Sequence, residues 1–194
     1  MADLLNVYTR QLYLKELGFY KGKVDTIEGA LTTAAYKELQ KKYFVRPRDI
    51  DGKYGINTDT LLRNAYYVKV YAPNFKLEEF KCKCGGKYCT GYPKVLSINL
   101  LKAVQAIRAK YGATTITSGM RCAKWNSKQR GSSANSYHLR GKAVDFKNSK
   151  TATLSGRREV MAYFKKQAGA GYTYCNENGS APYMGTAIHI QVNK

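Results

Sequence analysis

The segment Ser136-Tyr137-His138-Leu139-Arg140-Gly141-Lys142-Ala143-Val144-Asp145-Phe146 contains one of only two histidines in a chain of 194 residues. Its last four residues are typical of a short β-strand, so we expect His138 at the entrance of that strand and Asp145 within it. The other histidine, His189, lies in a second β-like run over residues 186–192. Because alternate side chains of a strand point to the same face, the two histidines and Asp145 can face one pocket.

Two imidazoles and one carboxylate form a ligand set for catalytic zinc, which takes three protein ligands and keeps its fourth position for water. Such an ion lowers the pKa of the water and polarises a carbonyl group. The residues alone leave a second interpretation open, because a histidine on an apolar strand is often a packed residue and Asp145 can simply bond a turn. We therefore predict a zinc site at His138, Asp145 and His189, with structural packing as the alternative.

The surrounding sequence resembles the family of zinc D-Ala-D-Ala carboxypeptidases and L-Ala-D-Glu endopeptidases. The pattern Ser-x-His-x-x-Gly-x-Ala-x-Asp at residues 136–145, followed by a later β-strand histidine, carries this resemblance. Residues 115–122 match the family's strand that ends in Ser-Gly-x-Arg, residues 75–80 its first segment, and residues 169–172 its glycine-rich strand. Over about residues 74–192, the resemblance implies a small α+β domain with a central antiparallel sheet, shared with hedgehog signalling domains.

The resemblance also implies roles for individual residues. His138, Asp145 and His189 fall on the zinc ligands, and Arg121 falls on the arginine that binds the substrate near the scissile bond. A guanidinium suits this task, since its planar fork donates paired hydrogen bonds to a carboxylate or a developing oxyanion. The alternative for Arg121 is a surface charge without a role in the reaction. Ser136 is expected to orient His138 or the substrate.

The sequence departs from the family at the general base. Some members have Glu three residues before the last histidine, where this chain has Thr186, and others have Asp two residues after it, where this chain has Gln191. The nearby acid is Glu177, whose carboxylate would accept a proton from the zinc water if its loop moved. The alternative is a solvated loop glutamate. Without a base, the domain would be a weak enzyme or a binding protein.

An internal repeat occupies the first third of the chain. Residues 24–32 and 50–58 both read apolar-Asp-x-x-x-Gly-x-x-Thr, 26 residues apart. Each Asp and Gly suits a turn, and each Thr is predicted to cap the following helix. Roughly residues 5–66 resemble the peptidoglycan-binding domain of many cell-wall hydrolases, although the first corner has Asp25-Thr26 where that family usually has Asp-Gly. The alternative is a helical accessory domain.

Charge is distributed unevenly along the chain. The formal net charge is +20, of which residues 1–75 carry +4 and residues 76–194 carry +16. Two regions with different charge balances indicate two domains.

We predict a small three-helix, all-α peptidoglycan-binding domain over residues 1–70, followed by an α+β zinc peptidase domain over residues 71–194. The positive charge indicates an anionic partner. Because no nucleic-acid-binding signature is present, we expect an anionic Gram-positive wall, with nucleic acid as the alternative.

The five cysteines permit more than one interpretation. Cys82, Cys84 and Cys89 fit a structural zinc site if Cys122 or Cys175 supplies a fourth ligand. A glycine-rich loop without a metal, or one disulfide formed after export, fits the three clustered cysteines equally well. Their odd number and the lack of a secretory signal favour reduced thiols.

Together these features predict a phage-type endolysin whose first domain holds peptidoglycan and whose zinc domain cuts a stem-peptide bond. We expect an L-Ala-D-Glu endopeptidase rather than a D-Ala-D-Ala carboxypeptidase, because removing a terminal D-Ala does not open a cross-linked wall. The sequence has neither a secretory signal nor an apolar run of the ~18 residues that a membrane span needs. We therefore expect a monomer made in the host bacterial cytoplasm and then released to the wall. A non-catalytic wall-binding protein is the alternative.

Overall fold

A computed structural model describes residues 3–193. Over these residues the chain forms an α+β fold with six α-helices and one four-stranded antiparallel sheet, so the predicted α+β class is confirmed. The helices are α1 (Val7–Glu16), α2 (Ala30–Tyr43), α3 (Ile56–Tyr71), α4 (Ile98–Tyr111), α5 (Ala123–Asn126) and α6 (Leu154–Phe164). The strands are β1 (Thr114–Ser118), β2 (Ala143–Asn148), β3 (Ala170–Cys175) and β4 (Ile188–Val192). None of the helices in the described part of the chain has the length and apolar character needed to cross a membrane.

The sequence repeat forms two corners that share one hydrogen-bonding pattern. At the first corner, the side-chain amide of Gln11 donates to Asp25 Oδ1 at 2.8 Å, and its oxygen accepts from the Asp25 backbone N–H at 3.0 Å. At the second corner, the amide of Gln40 donates to Asp51 Oδ1 at 3.1 Å and accepts from the Gly52 N–H at 2.7 Å. Both glutamines are buried, so each amide supplies the partners that polar groups buried in its corner require.

The predicted threonine caps are wrong. Each helix begins two residues before its threonine and has a glycine at the N-cap, so Thr32 and Thr58 lie in the first turns of α2 and α3. Their buried hydroxyls instead accept hydrogen bonds from the amides of Gln11 at 3.1 Å and Gln40 at 3.0 Å. The repeat therefore locates both corners correctly, but its threonines bind the corner glutamines rather than the helix ends.

The hydrophobic core is continuous across the predicted domain boundary at residues 70 and 71. Buried side chains from α1 to β4 form one cluster, from Leu14 to Val192. The fully buried side chain of Asn64 in α3 accepts a hydrogen bond from the Leu96 N–H at 2.7 Å and donates to the Lys94 carbonyl at 2.9 Å. The helical N-terminal part therefore packs directly on the region that carries the sheet, and the division into two domains stays a prediction.

The sheet brings the two histidine-bearing regions together. Its strand order is β1-β2-β4-β3, so β2 and β4 are the central strands and pair antiparallel. Helices α4 and α6 both pack against β4, and the apolar residues Val144 and Ile190 enter the core. The intervening residues of the same strands point to the opposite face. In this register Asp145 lies directly opposite His189.

Candidate active site

His138, Asp145 and His189 meet around a single carboxylate oxygen. Asp145 Oδ1 lies 3.3 Å from His138 Nε2 and 2.7 Å from His189 Nδ1. One ligand atom from each residue lies within 4.8 Å of the others, and all three residues are buried. The structure therefore brings together the three residues that the sequence predicts as a zinc site.

Local backbone structure fixes His138. It lies in a short 3₁₀ turn, Tyr137–Arg140, and the Ser136 hydroxyl accepts a hydrogen bond from the His138 N–H at 3.4 Å. Gly141 ends the turn with φ of +67°, and a Cβ there would collide with the carbonyl of Val95. Only glycine fits this left-handed, crowded position, which explains the glycine between the histidine and β2. Ser136 thus orients the His138 turn through the backbone.

Each imidazole has one nitrogen that faces Asp145 and one outer nitrogen that contacts another oxygen acceptor. His138 Nδ1 lies 2.7 Å from the Gly119 carbonyl oxygen. A carbonyl only accepts, so Nδ1 carries the proton and Nε2 presents a lone pair. His189 Nδ1 lies 2.7 Å from Asp145 Oδ1 and its Nε2 lies 3.3 Å from Gln191 Oε1, so the shorter contact favours donation from Nδ1 to the carboxylate. A metal ion bound between the two groups would replace that proton, and Gln191 would then accept from Nε2.

The ionisation of these groups suits metal binding. Burial lowers the pKa of His138 below its ordinary value of 6.5 and favours the neutral imidazole. Burial alone would raise the pKa of Asp145, but its close contacts with the two imidazoles outweigh burial and hold that pKa well below its ordinary range. Near neutral pH, a neutral imidazole and an ionised carboxylate are available, which are the forms that bind metal ions.

Arg121 lies against the second oxygen of the same carboxylate. Its Nη2 donates to Asp145 Oδ2 at 2.8 Å, and its Nε donates to the Ser118 hydroxyl at 3.0 Å. The side chain is only 13% exposed, so the surface-charge interpretation does not describe it. Arg121 also lines the cavity in front of the histidines. Its guanidinium is therefore held in place while it still faces the space available to a substrate.

A cavity of about 540 Å³ opens in front of this site. Arg121, Ser136, His138 and His189 line it together with four tyrosines that sequence reasoning missed: Tyr137, Tyr172, Tyr174 and Tyr183. The Tyr174 ring stacks on the imidazole of His189 with centroids 4.7 Å apart. For Tyr172 and Tyr174, the sequence feature that indicates a shared position is their two-residue spacing in a strand, which places both rings on one face.

The structure does not bring Glu177 to the histidines. Its carboxylate lies 3.3 Å from the guanidinium of Arg158 in α6, and Glu177 is not among the residues that line the cavity. Gln191 lies beside His189 and does line it. Among residues 3–193, none of those that line this cavity is an aspartate or glutamate. A role for Glu177 as the base would require its loop to leave Arg158.

The cysteines fall into two places. Cys82, Cys84, Cys89 and Cys122 lie together in one group, whereas Cys175 lies at the end of β3. In the described part of the chain, this group and the histidine–aspartate group are the two sets of side chains arranged to hold a metal ion.

Several residues of this site lie in a range that matches a known protein family. Residues 73–181, more than half of the chain, match the family model described as Peptidase M15. No curated protein sequence matches the chain significantly. The matched range contains Arg121, His138 and Asp145 and ends before His189. The pairing of β2 with β4 joins that last histidine to the site.

Proposed function

The chain belongs to the peptidase M15 family, and from that premise we propose that it is a zinc peptidase that hydrolyses a stem-peptide bond of bacterial peptidoglycan. The observation that carries this proposal is the convergence of His138, Asp145 and His189, each of which offers one ligand atom within 4.8 Å of the other two. When bound there, zinc would supply Lewis acidity that polarises a carbonyl and lowers the pKa of a water.

The protein groups around the three ligands support this assignment. The carbonyl of Gly119 and the side chain of Gln191 hold the outer nitrogens of the two imidazoles. Such outer contacts fix the tautomer and the ring orientation of a metal-binding histidine. The Tyr174 ring covers one face of His189, which restricts its rotation and shields it from water.

Arg121 is the proposed substrate-binding residue. Its guanidinium faces the cavity and is held by Ser118 and Asp145. A positioned guanidinium stabilises negative charge that develops on the carbonyl oxygen during attack, or it binds a neighbouring carboxylate. Both candidate bonds, L-Ala-D-Glu and D-Ala-D-Ala, have a carboxylate close to the scissile carbonyl. We favour the L-Ala-D-Glu endopeptidase, because only the internal cut detaches the stem peptide.

We assign catalysis to residues 71–194 and wall binding to residues 1–70. Three of the four most exposed large apolar side chains in residues 3–193 lie in the N-terminal part, namely Ile27, Leu31 and Ile56. Exposed apolar side chains and a net positive charge suit a contact with an anionic polymer. The proposal includes an endolysin role, with synthesis in the host cytoplasm and later release to the wall.

One observation favours a second candidate, a wall-binding protein without activity. The cavity lining in residues 3–193 holds no aspartate or glutamate, and Gln191 stands where some family members have a carboxylate. General base catalysis typically contributes about 10²- to 10⁴-fold to rate. A cavity without a base would therefore bind the stem peptide but cleave it slowly.

Digestion of purified Gram-positive peptidoglycan separates these functions. Zinc-loaded protein is incubated with the wall, and mass spectrometry identifies the released fragments and their new termini. We expect fragments with a new N-terminal D-Glu. Release of D-Ala alone would identify the carboxypeptidase, and sedimentation with the wall without any fragment would identify the binding protein.

A further inference from the structure

A second group of potential metal ligands lies outside the histidine site. The thiols of Cys82, Cys84, Cys89 and Cys122 lie within 4.8 Å of one another. Cys82 and Cys84 are buried, and the other two are partly buried. The sulfurs of Cys84 and Cys89 are 3.5 Å apart. Three of these residues come from one short loop and the fourth from a segment 33 residues further along the chain, so the fold itself completes the set.

The loop is shaped to turn its thiols inward. Gly85 and Gly86 both have positive φ, at +61° and +82°, so the chain reverses between Cys84 and Cys89. The Cys82 N–H donates to the Gly91 carbonyl at 2.8 Å and closes the base of the loop. From the other segment, the Cys122 N–H donates to Cys82 Sγ at 3.4 Å. A backbone donor directed at a sulfur stabilises negative charge on it, as a thiolate ligand requires.

We propose that Cys82, Cys84, Cys89 and Cys122 bind a structural zinc ion as a four-thiolate site. Zinc binds thiolates tetrahedrally at about 2.3 Å, which places the sulfurs about 3.8 Å apart. The sulfurs of Cys84 and Cys89 are 3.5 Å apart and all four lie within 4.8 Å of one another, so small side-chain adjustments suffice to reach that geometry. Four protein ligands leave no position for water, so the site would stabilise structure and take no part in hydrolysis.

A disulfide accounts for this arrangement less completely. It would join two sulfurs and leave the other two thiols without a partner in a partly buried cluster. All four sulfurs lie within 4.8 Å of one another, and all five cysteines of the described chain are free thiols. A single metal ion uses all four ligands, whereas no single disulfide does.

The site would hold the segment that carries Arg121. Cys122 directly follows Arg121, and the Met120 N–H donates to the Phe80 carbonyl at 2.9 Å on the other side of that segment. An ion at the cysteines would therefore fix the arginine loop to residues 82–89. The same loop packs closely on the N-terminal helical part, since a Cβ added to Gly86 would lie only 2.9 Å from Val45 Cγ2. The ion would thus join two segments of the fold, one of which packs against the N-terminal helical part.

Metal content of the purified, reduced full-length protein tests the proposal. We expect two zinc ions per chain, one for each group of ligands. His189→Ala should remove one ion and Cys89→Ser the other. The matched control is Cys175→Ser, which alters the buried cysteine outside the group and should retain both. A wild-type protein with one ion that is lost in His189→Ala would overturn the four-thiolate site and leave the proposed function intact.

A second measurement covers the case in which Cys89→Ser does not fold. Cobalt is bound to the folded His189→Ala protein in place of zinc, and the near-ultraviolet absorption of sulfur-to-cobalt charge transfer is recorded. We expect a strong band that persists in the His189→Ala, Cys175→Ser double variant. No band, or an intact mass of the unreduced protein lower by two hydrogens, would overturn the proposal, and the mass result would identify a disulfide. Failure of the hydrolase proposal would leave this band unchanged.

Discussion

Arg121 and His189 share one carboxylate: Arg121 Nη2 lies 2.8 Å from Asp145 Oδ2, and His189 Nδ1 lies 2.7 Å from Asp145 Oδ1. The residue proposed to bind the substrate is therefore separated from a proposed metal ligand by a single side chain. This contact fixes the distance between the metal site and the group that would hold the scissile carbonyl. Positioning of this kind is a large part of catalytic power in a preorganised site.

Replacing Arg121 should reduce activity without removing the metal. Arg121→Ala is expected to lower kcat about 10²- to 10³-fold, the range measured for loss of one oxyanion donor. Arg121→Lys should recover only part of this loss, because an ammonium group cannot reproduce the paired contacts of a guanidinium. Cleavage rates and zinc content are measured together. Arg140→Ala, which changes an exposed arginine outside the cavity lining, is the matched control. Equal losses in both variants would contradict a specific role for Arg121.

Glu177→Gln tests whether the predicted base acts in the reaction. We expect a change of no more than about twofold, because the Glu177 carboxylate is paired with Arg158 at 3.3 Å and an exposed pair of this kind contributes little. Glu159→Gln, which breaks the exposed pair with Lys150, is the control. A selective fall of about 10²-fold or more in kcat for Glu177→Gln would show that the loop moves and supplies the base.

Gln191 should influence metal affinity through His189. Gln191→Ala removes the acceptor for His189 Nε2 and is expected to weaken zinc binding at this site about 10- to 100-fold. Gln191→Asp keeps an acceptor and also places a carboxylate in the cavity. It should retain the affinity and increase kcat if the reaction lacks a base. Competition with a chelator and the cleavage rate measure the two effects, and unchanged affinity in Gln191→Ala would exclude this role.

The metal-free protein should lose stability as the pH falls. Burial lowers the pKa of folded His138 below 6.5, so below that pH the unfolded chain binds a proton that the folded chain does not. The pKa of folded Asp145 is also lowered, so below pH 3.8 the unfolded chain again binds a proton that the folded chain does not. Each group lowers the free energy of unfolding by at most about 1.4 kcal/mol per pH unit in its window.

Urea unfolding of chelator-treated protein at a series of pH values measures this dependence. His138→Gln removes the first titrating group, so its free energy of unfolding should depend less steeply on pH just below 6.5. The same slope in the variant and the wild type would mean that His138 does not cause the loss.

The proposed metal ligands could be predicted from the sequence because they depend on short-range patterns. The spacing from His138 to Asp145 and the alternation around His189 define which side chains share a face. The resemblance to a family implied that Asp145 and His189 are ligands of one ion. The register that places them opposite each other was not predicted, since spacing within each strand does not determine how two strands pair.

Other features could not be predicted, because they depend on contacts between distant segments. The pairing of Glu177 with Arg158 requires the packing of α6 beside the loop after β3. Cys122, and not Cys175, is the fourth cysteine of the group, because the segment that follows β1 and carries Arg121 lies beside Cys82. The threonine caps were mispredicted for a related reason, because the buried amides of Gln11 and Gln40 compete for the same hydroxyls.

The most direct test of the central claim compares zinc-loaded wild-type protein with Asp145→Asn on purified peptidoglycan. The substitution keeps the shape of the side chain and removes the charge that both imidazoles and Arg121 face. Mass spectrometry of the soluble fraction should detect stem-peptide fragments from the wild type and none from a folded Asp145→Asn protein. Fragment release at the wild-type rate by Asp145→Asn would contradict a hydrolytic site built on His138, Asp145 and His189.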